Sequence, residues 1–393
     1  MSASRTAGQG LRVAVVGYGI AGIAAAIALR AGGHHVEHFE AYPRLSAAGG
    51  GLLLQPAAIA LLSQLGLSAD VALVGARVRQ VRAESATGRR LMCIAYPSED
   101  GASCAIGIER RALFTLLQRA DAASSQVRLG TRIVHVDPEH GRLTDTDGVR
   151  FGPYDLIVGA DGAKSTLRRS QSPWRSREHL YPWAAVVGIV EIAGDRLPTH
   201  LQQVFHATHH LSSWPVAAVD AAGRARISVA INVPRAHMPD DGAAALWAAR
   251  VASLPAAHRP WATVEAAAAD VHAFDYRAVH LRSHASGRLV LIGDAAHAAS
   301  PQLGHGVTTA LEDAACLAAC MHGQSAPNVG SALEAYQRKR APRLRRYQRI
   351  SALATPLFQS DSRALAWLRD RALLPLTALG PVQRGVARLL IAA

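Results

Sequence analysis

The chain has 393 residues, half of them hydrophobic, enough for a large core and for two domains. Its formal net charge is +13, but all except two of its 42 basic residues are Arg spread through an Ala- and Gly-rich sequence. That charge reads as a composition bias as much as a binding signal, and with no RNP-like, zinc-finger or clustered basic–aromatic pattern no nucleic-acid partner is expected. The four cysteines, Cys93, Cys104, Cys316 and Cys320, form no CxxC pair; they read as small core residues, fit a reducing cytoplasm and supply no metal site.

Leu11 to Val16 is a short β-rich run, followed by Gly17-Tyr18-Gly19-Ile20-Ala21-Gly22, a helix over Ile23 to Arg30, a stop at Gly32-Gly33 and a second strand from Val36 to Glu40. The glycines interrupt an apolar stretch that otherwise resembles a signal h-region, and they exclude that reading. Strand, glycine turn, helix and terminal acid form the dinucleotide fingerprint in its required context. Gly17 permits the tight turn, Gly19 lets a pyrophosphate approach the backbone, and Gly22 lets helix pack on strand. Glu40 is placed to accept from ribose hydroxyls.

Gly49-Gly50-Gly51 precedes Leu52-Leu53-Leu54. It reads either as a close backbone approach to something flat or as a flexible turn. Ala57 to Leu65 is a helix ended by Gly66, and short alternating runs between Arg77 and Ile108 predict hairpins. Arg110 to Ala122 is a helix with Leu113, Leu116 and Leu117 inward; Arg110 and Arg111 at its start are held for a phosphate or are solvated surface residues. Strands are expected over Val127 to Val136, Gly141 to Thr146 and Val149 to Phe151, around the Asp147-Gly148 turn. Tyr154 to Val158 is a buried strand ending in Gly159-Ala160-Asp161-Gly162-Ala163-Lys164-Ser165. Asp161 is read as a helix N-cap or as a neighbour of the dinucleotide.

From about Arg175 to Leu281 the pattern changes to antiparallel strands: Tyr181 to Ile192, Leu201 to His206, His210 to Val219, Arg226 to Val233 and the returning Val271 to Leu281. Helices are expected over Ala243 to Leu254 and part of Pro260 to Ala269. A buried strand, Arg288 to Ile292, then leads into Gly293-Asp294-Ala295-Ala296-His297 and an irregular loop through Pro301, Gly304, His305 and Gly306. A helix over Val307 to Met321 follows. A glycine loop opening a helix presents bare N–H groups and a positive dipole end, suited to an anion or to a ring that becomes anionic. The stretch after Ser331 is helical, with Arg on most sides, and reads as a solvated face.

Three strand ends carrying GxGxxG, GADG and GDAAH…P…GxG, with an antiparallel domain between the second and third, resemble the class A FAD-dependent flavoprotein monooxygenases of the para-hydroxybenzoate hydroxylase fold. The resemblance covers about Leu11 to Leu353. It implies an α/β architecture: a discontinuous Rossmann-like FAD-binding domain (1–174 and 285–330), an inserted antiparallel-sheet substrate domain (175–284) and a C-terminal helical region (331–393). It implies that Gly17, Gly19 and Gly22 seat the pyrophosphate of non-covalent FAD and that Glu40 holds its adenosine ribose. Arg110, with Leu113, matches an Arg-x-x-Leu that contacts FAD. Asp161 and Gly162 match an Asp-Gly motif associated with FAD and NAD(P)H. Gly293 and Asp294 face the ribityl chain, Leu52 to Leu54 line the flavin near substrate, and Pro301, Gly304, Gly306 and Val307 lie at the isoalloxazine edge.

The reaction implied uses NADPH or NADH and O2 to hydroxylate a small aromatic through a flavin C4a-hydroperoxide. A base that removes a phenolic proton is unassigned; His200, His206, His209 and His210 lie on strands of the inserted domain, and His297 reads as structural. The chain departs from the family at His305, commonly Gln, at Thr308-Thr309, where Asn is common, and at Ala57, usually Asn. Pro301 and His305 are the flavin-edge residues nearest to catalysis. An imidazolium at His305 facing the flavin stabilises its reduced anion; otherwise the ring points to solvent or packs on the neighbouring helix. Rival readings are a flavin-dependent halogenase, a flavin reductase or dehydrogenase that needs no oxygen, and an FAD-binding protein that only shields an unstable intermediate. The basic C-terminal helix offers weak contact with an anionic membrane surface, and the oligomeric state stays open.

Overall fold

The computed structural model describes residues 10–46, 49–96, 104–121, 126–170, 177–206, 209–238, 242–253, 271–301, 304–359 and 362–391. The strand Arg12–Val16 lies at the centre of a six-stranded sheet, paired in parallel with Leu156–Gly159 on one side and His35–Phe39 on the other. Leu289–Leu291 extends the sheet in parallel beyond Leu156–Gly159. Val13 and Val15 face the helices Ile20–Ala31 and Gly306–Met321, while Ala14 and Val16 face Phe39, Ile157 and Leu291 on the opposite side. Burial on both faces explains why this strand is apolar throughout after Arg12. The first helix begins three residues earlier than its apolar spacing predicts, because Gly19 caps it directly after the turn. The fold class expected from the sequence is the one observed.

A second sheet has seven strands in the order Val271–His280, Arg177–Ala193, Arg224–Pro234, His210–Ala217, His200–Phe205, Gln80–Ser85, Arg90–Ala95. All neighbours are antiparallel except His200–Phe205 with Gln80–Ser85. One face buries Trp247 of the helix Ala243–Ser253 against Val186, Val190, Leu211 and Ile231. The sheet thus takes two strands from the stretch ahead of residue 175. Alternation marks those residues as strands but carries no information about which sheet they join. The helix expected within Pro260 to Ala269 lies outside the described residues, and the helix Ser68–Val74 was not foreseen.

A three-stranded sheet, Gly51–Leu54, Ala105–Glu109 and Ala76–Val78, lies against the open face of the seven-stranded one. A Cβ on Gly50 would overlap Val187, and one on Gly51 would crowd Ser228 and Trp214. The flat object these glycines approach is the chain's own second sheet.

The long helix Val329–Phe358 buries Leu333, Tyr336, Arg340, Leu344, Tyr347, Ser351 and Thr355, a stripe at spacings of three and four. The expectation of a solvated Arg face fails at Arg340, which sits on that stripe and is only 4 % exposed. Among the described residues no helix is long and apolar enough to cross a membrane.

Candidate cofactor and substrate site

The three glycine-marked strand ends meet at the carboxyl edge of the six-stranded sheet, where open α/β sheets bind ligands. Gly17 has φ 103°, and an added Cβ would overlap the Ala160 carbonyl, so the first turn is held against the second. A Cβ on Gly22 would overlap the Gly17 carbonyl, whereas one on Gly19 would meet nothing. The approach to the helix N-terminus is therefore open at Gly19, and no side chain caps it. Glu40 accepts from the backbone N–H of Tyr18 at 2.8 Å and of Tyr42 at 2.8 Å, which fixes the loop beside it. His38 bonds the Gly17 carbonyl at 3.0 Å, and burial pushes its pKa down to about 4, so the ring is neutral there.

At the second strand end, one carboxylate oxygen of Asp161 accepts from the N–H groups of Thr166 at 2.7 Å and Leu167 at 3.1 Å. Its other oxygen, Oδ1, is buried with no partner, and burial pushes the carboxyl pKa up. Gly162 beside it has φ 77°. The buried Arg168 donates to Ala295 at 2.7 Å and to Glu178 at 2.8 Å, tying this turn to the third. Arg110 starts its helix with an exposed side chain, its backbone N–H bonded to Gly50 at 3.1 Å.

The third strand end carries a network that the motifs alone did not reveal. Gly293 has φ 58° and donates its N–H to Asp313 at 2.9 Å. The same carboxylate meets His297 Nε2 at 2.5 Å and accepts from Arg340 Nε at 2.7 Å. Arg340 also donates to Glu312 at 2.8 Å. Burial works to raise the Asp313 carboxyl, but His297 and Arg340 outweigh it and hold the group below the ordinary carboxylate value. The network locks the turn that leads into Asp294, whose own side chain is exposed.

Beyond Asp294, Pro301 is exposed and its carbonyl accepts from Gly304 N–H at 2.9 Å. Gly304 has φ 65° and lies beside Gln55. His305 is the N-cap of the helix that starts Gly306-Val307, and its buried ring packs edge-on against Tyr347, with centroids 6.0 Å apart. No side chain caps that helix, and Thr308 Oγ1 in its first turn is buried without a partner. Leu54 is fully buried and Leu52 and Leu53 half-buried; Gln55 after them accepts from the Tyr96 hydroxyl at 2.9 Å.

Of the four histidines expected on the second sheet, only His210 is buried. His206 and His209 stack on each other at 4.2 Å, and His200 is half-buried. Leu211 points to the Trp247 side, so His210 shares the opposite face with Trp214, the face turned to Gly51. One ring nitrogen of His210 bonds the Phe358 carbonyl, and Nδ1 is buried with no partner. A carbonyl only accepts, so the bonded nitrogen carries the proton and Nδ1 keeps its lone pair. Next to Phe358, the buried Gln359 accepts from Ser300 Oγ at 3.4 Å and leaves its Nε2 unpartnered.

These residues fit FAD. Two uncapped helix N-termini suit the pyrophosphate and a ring that gains negative charge. Glu40 and the exposed Asp294 suit hydroxyl-bearing segments, and the orphaned Asp161 Oδ1 and Thr308 Oγ1 are buried polar atoms that a bound group can satisfy. Among the described residues no group of three or more His, Cys, Asp or Glu is placed to hold a metal. Asp294→Ala should weaken FAD binding by about 1.5–3 kcal/mol, the range for a hydrogen bond to a charged group. Flavin titration of the apoprotein measures this, and unchanged affinity would remove Asp294 from the site.

Comparison with known proteins agrees with this geometry. The family model described as "FAD binding domain" matches residues 10–351. The chain is 31% identical over 357 residues to 3-amino-4-hydroxybenzoate 2-monooxygenase of Streptomyces cremeus, covering 85% of this chain and 84% of that protein. It is 30% identical over 378 residues to a salicylate hydroxylase of Pseudomonas putida, covering 87% and 85%. In fold it is similar to Klebsiella pneumoniae HpxO complexed with FAD and uric acid, with TM-score 0.82, 20% identity and coverage of 100% and 99%. These relatives by sequence are oxygenases, which favours oxygenation over the reductase and shielding readings.

Proposed function

Because the chain belongs to the FAD binding domain family, as an FAD-dependent aromatic monooxygenase reduced by NADH or NADPH, we propose that its substrate is a small phenol, hydroxylated ortho or para to the existing hydroxyl. The single observation that carries this reading is the buried, unpartnered Nδ1 of His210 on the sheet face turned to Gly51. The substrates in the names of two sequence relatives, 3-amino-4-hydroxybenzoate and salicylate, are phenols, in line with it.

FAD, when bound, would carry two electrons from the nicotinamide to dioxygen, so that one oxygen atom passes to the substrate and the other leaves as water. The chain's own residues do the rest. The turn at Gly17, Gly19 and Gly22, with Glu40, holds the adenosine end, and Asp294 holds the chain that leads to the ring. The N–H groups at Gly306, Val307 and Thr308 stabilise negative charge at the ring edge. Leu52, Leu53 and Leu54 with the second sheet exclude water from the reacting face. His210 Nδ1 accepts the phenolic proton, which raises electron density at the ortho and para carbons. The developing phenolate in turn favours the protonated ring, offsetting the burial that otherwise keeps it neutral.

Aerobic turnover with a panel of phenols under labelled dioxygen tests the reading. The expected product is one oxygen atom heavier, carries the label, and appears with NAD(P)H consumption that the substrate accelerates. Substrate conversion without oxygen, or nicotinamide oxidation that no phenol accelerates, would overturn it.

A further inference from the structure

The C-terminal part of the chain concentrates two properties that are separate elsewhere. Seven of the twelve large apolar side chains that stand exposed among the described residues lie between Leu353 and Val382. Leu353 is 77% and Trp367 64% exposed, and Leu376 and Leu379 are about half exposed. Single exposed apolar residues are ordinary, but a cluster within thirty positions marks a contact surface. The second property is charge. Residues 329–393 hold twelve basic and three acidic residues, nine of the chain's +13 formal charges.

The two properties adjoin on the long helix Val329–Phe358. Arg345, Arg346 and Arg349 are exposed and line, with Pro342 and Ile350, an open groove of about 480 Å³. Leu353 follows Arg349 by one helical turn, so the basic stripe runs directly into the apolar one. Arg340, Arg343 and Arg369 are paired with Asp313, Glu312 and Asp370. Among the described residues Arg345, Arg346 and Arg349 have no carboxylate partner, so their charge is available to something outside the fold.

We infer that this surface docks the enzyme on an anionic lipid bilayer. A second copy of the chain would bring the same positive stripe against itself. A nucleic acid would engage the guanidinium groups and leave Trp367 and the leucines in water. A bilayer surface accommodates both, with Arg at the level of the phosphates and Trp and Leu at the acyl boundary. Docking places no catalytic residue in the membrane; it brings the site to molecules that partition there.

Flotation of the FAD-loaded full chain with phosphatidylcholine vesicles containing about 30% phosphatidylglycerol tests the inference. The protein should float with these vesicles, stay behind with pure phosphatidylcholine, and be released at roughly 0.5 M salt. The triple variant Arg345→Gln, Arg346→Gln, Arg349→Gln should lower the partition coefficient by tenfold to on the order of a hundredfold. Trp367→Ser with Leu376→Ser and Leu379→Ser should also abolish flotation. Both variants should keep their flavin and their turnover in free solution, which shows that they fold. No flotation with the anionic vesicles, or flotation that neither variant weakens, overturns the inference. So does a dimer or a DNA complex that these substitutions dissolve in place of a vesicle complex.

Discussion

His210→Gln should leave the flavin content of the purified protein unchanged and lower kcat on a phenol by about 10²–10⁴-fold, the range for loss of a positioned general base. Glutamine keeps a donor for the Phe358 carbonyl and nearly the same volume, so the change removes the lone pair of Nδ1 and little else. Burial pushes the His210 pKa down from 6.5 to about 3, with Arg369 adding to the shift. The folded value lies below the unfolded one, so on acidification the unfolded chain takes up the proton first. The stability that depends on a neutral ring is complete above about pH 6.5 and is lost as pH falls toward about 3. Urea midpoints of the wild type should therefore fall across that window, and His210→Gln should flatten the fall. His38, His209 and His284, each lowered to about 4 by burial, keep the remaining slope. Rapid-quench and steady-state kinetics decide the catalytic half: a kcat within a few-fold of wild type would leave His210 as packing only.

Asp313→Ala should cost about 3–5 kcal/mol of stability, because it strands the buried Arg340 guanidinium and His297 without their shared acceptor. Gly293 N–H loses its partner in the same step, so the turn ahead of Asp294 loosens and flavin affinity falls as well. Replacing both Asp313 and Arg340 by leucine should recover much of the stability, since an apolar pair of similar volume carries no desolvation cost. It should not recover flavin affinity, because the turn remains unheld. Chemical denaturation with parallel flavin titration separates the two effects, and a single variant that unfolds at the wild-type midpoint would show the network to be idle.

The glycine turns were legible because backbone geometry leaves no alternative residue. Gly17 and Gly293 adopt positive φ at strand ends, Gly17 lies against the Ala160 carbonyl and Gly22 against the Gly17 carbonyl, so the spacing alone announces the architecture. The Asp313–Arg340 pair was legible in principle and was missed. Asp313 falls among the buried Ala310, Ala314 and Leu317 of its helix, and Arg340 falls between Tyr336 and Leu344 of the next. A charge on the apolar stripe of each of two neighbouring helices calls for a partner. Counting Arg around the whole helix hid that register. The three glycines at Gly49 to Gly51 show the opposite case. Close approach was readable, but nothing local says that the thing approached is a sheet whose contacting residues, Val187, Trp214 and Ser228, lie more than a hundred positions away. For His210 the alternation told which face it shares, while its burial depends on Phe358, far along the chain.

The parallel pairing of Leu156–Gly159 with Leu289–Leu291 has a temporal consequence. Five of the seven strands of the second sheet lie between these two strands in the chain, so the nucleotide sheet is incomplete until residue 291 has left the ribosome. Only afterwards can Gly293 find Asp313, and Arg340 arrives later still. Antiparallel pairs such as His200–Phe205 with His210–Ala217 close short loops and should form early, whereas the long-range parallel pair should close late and set the folding rate. Competence to take up the cofactor is thus deferred until Leu289–Leu291 and the helix that carries Arg340 have emerged, and any flavin held by the chain reports that both halves of the discontinuous domain have met.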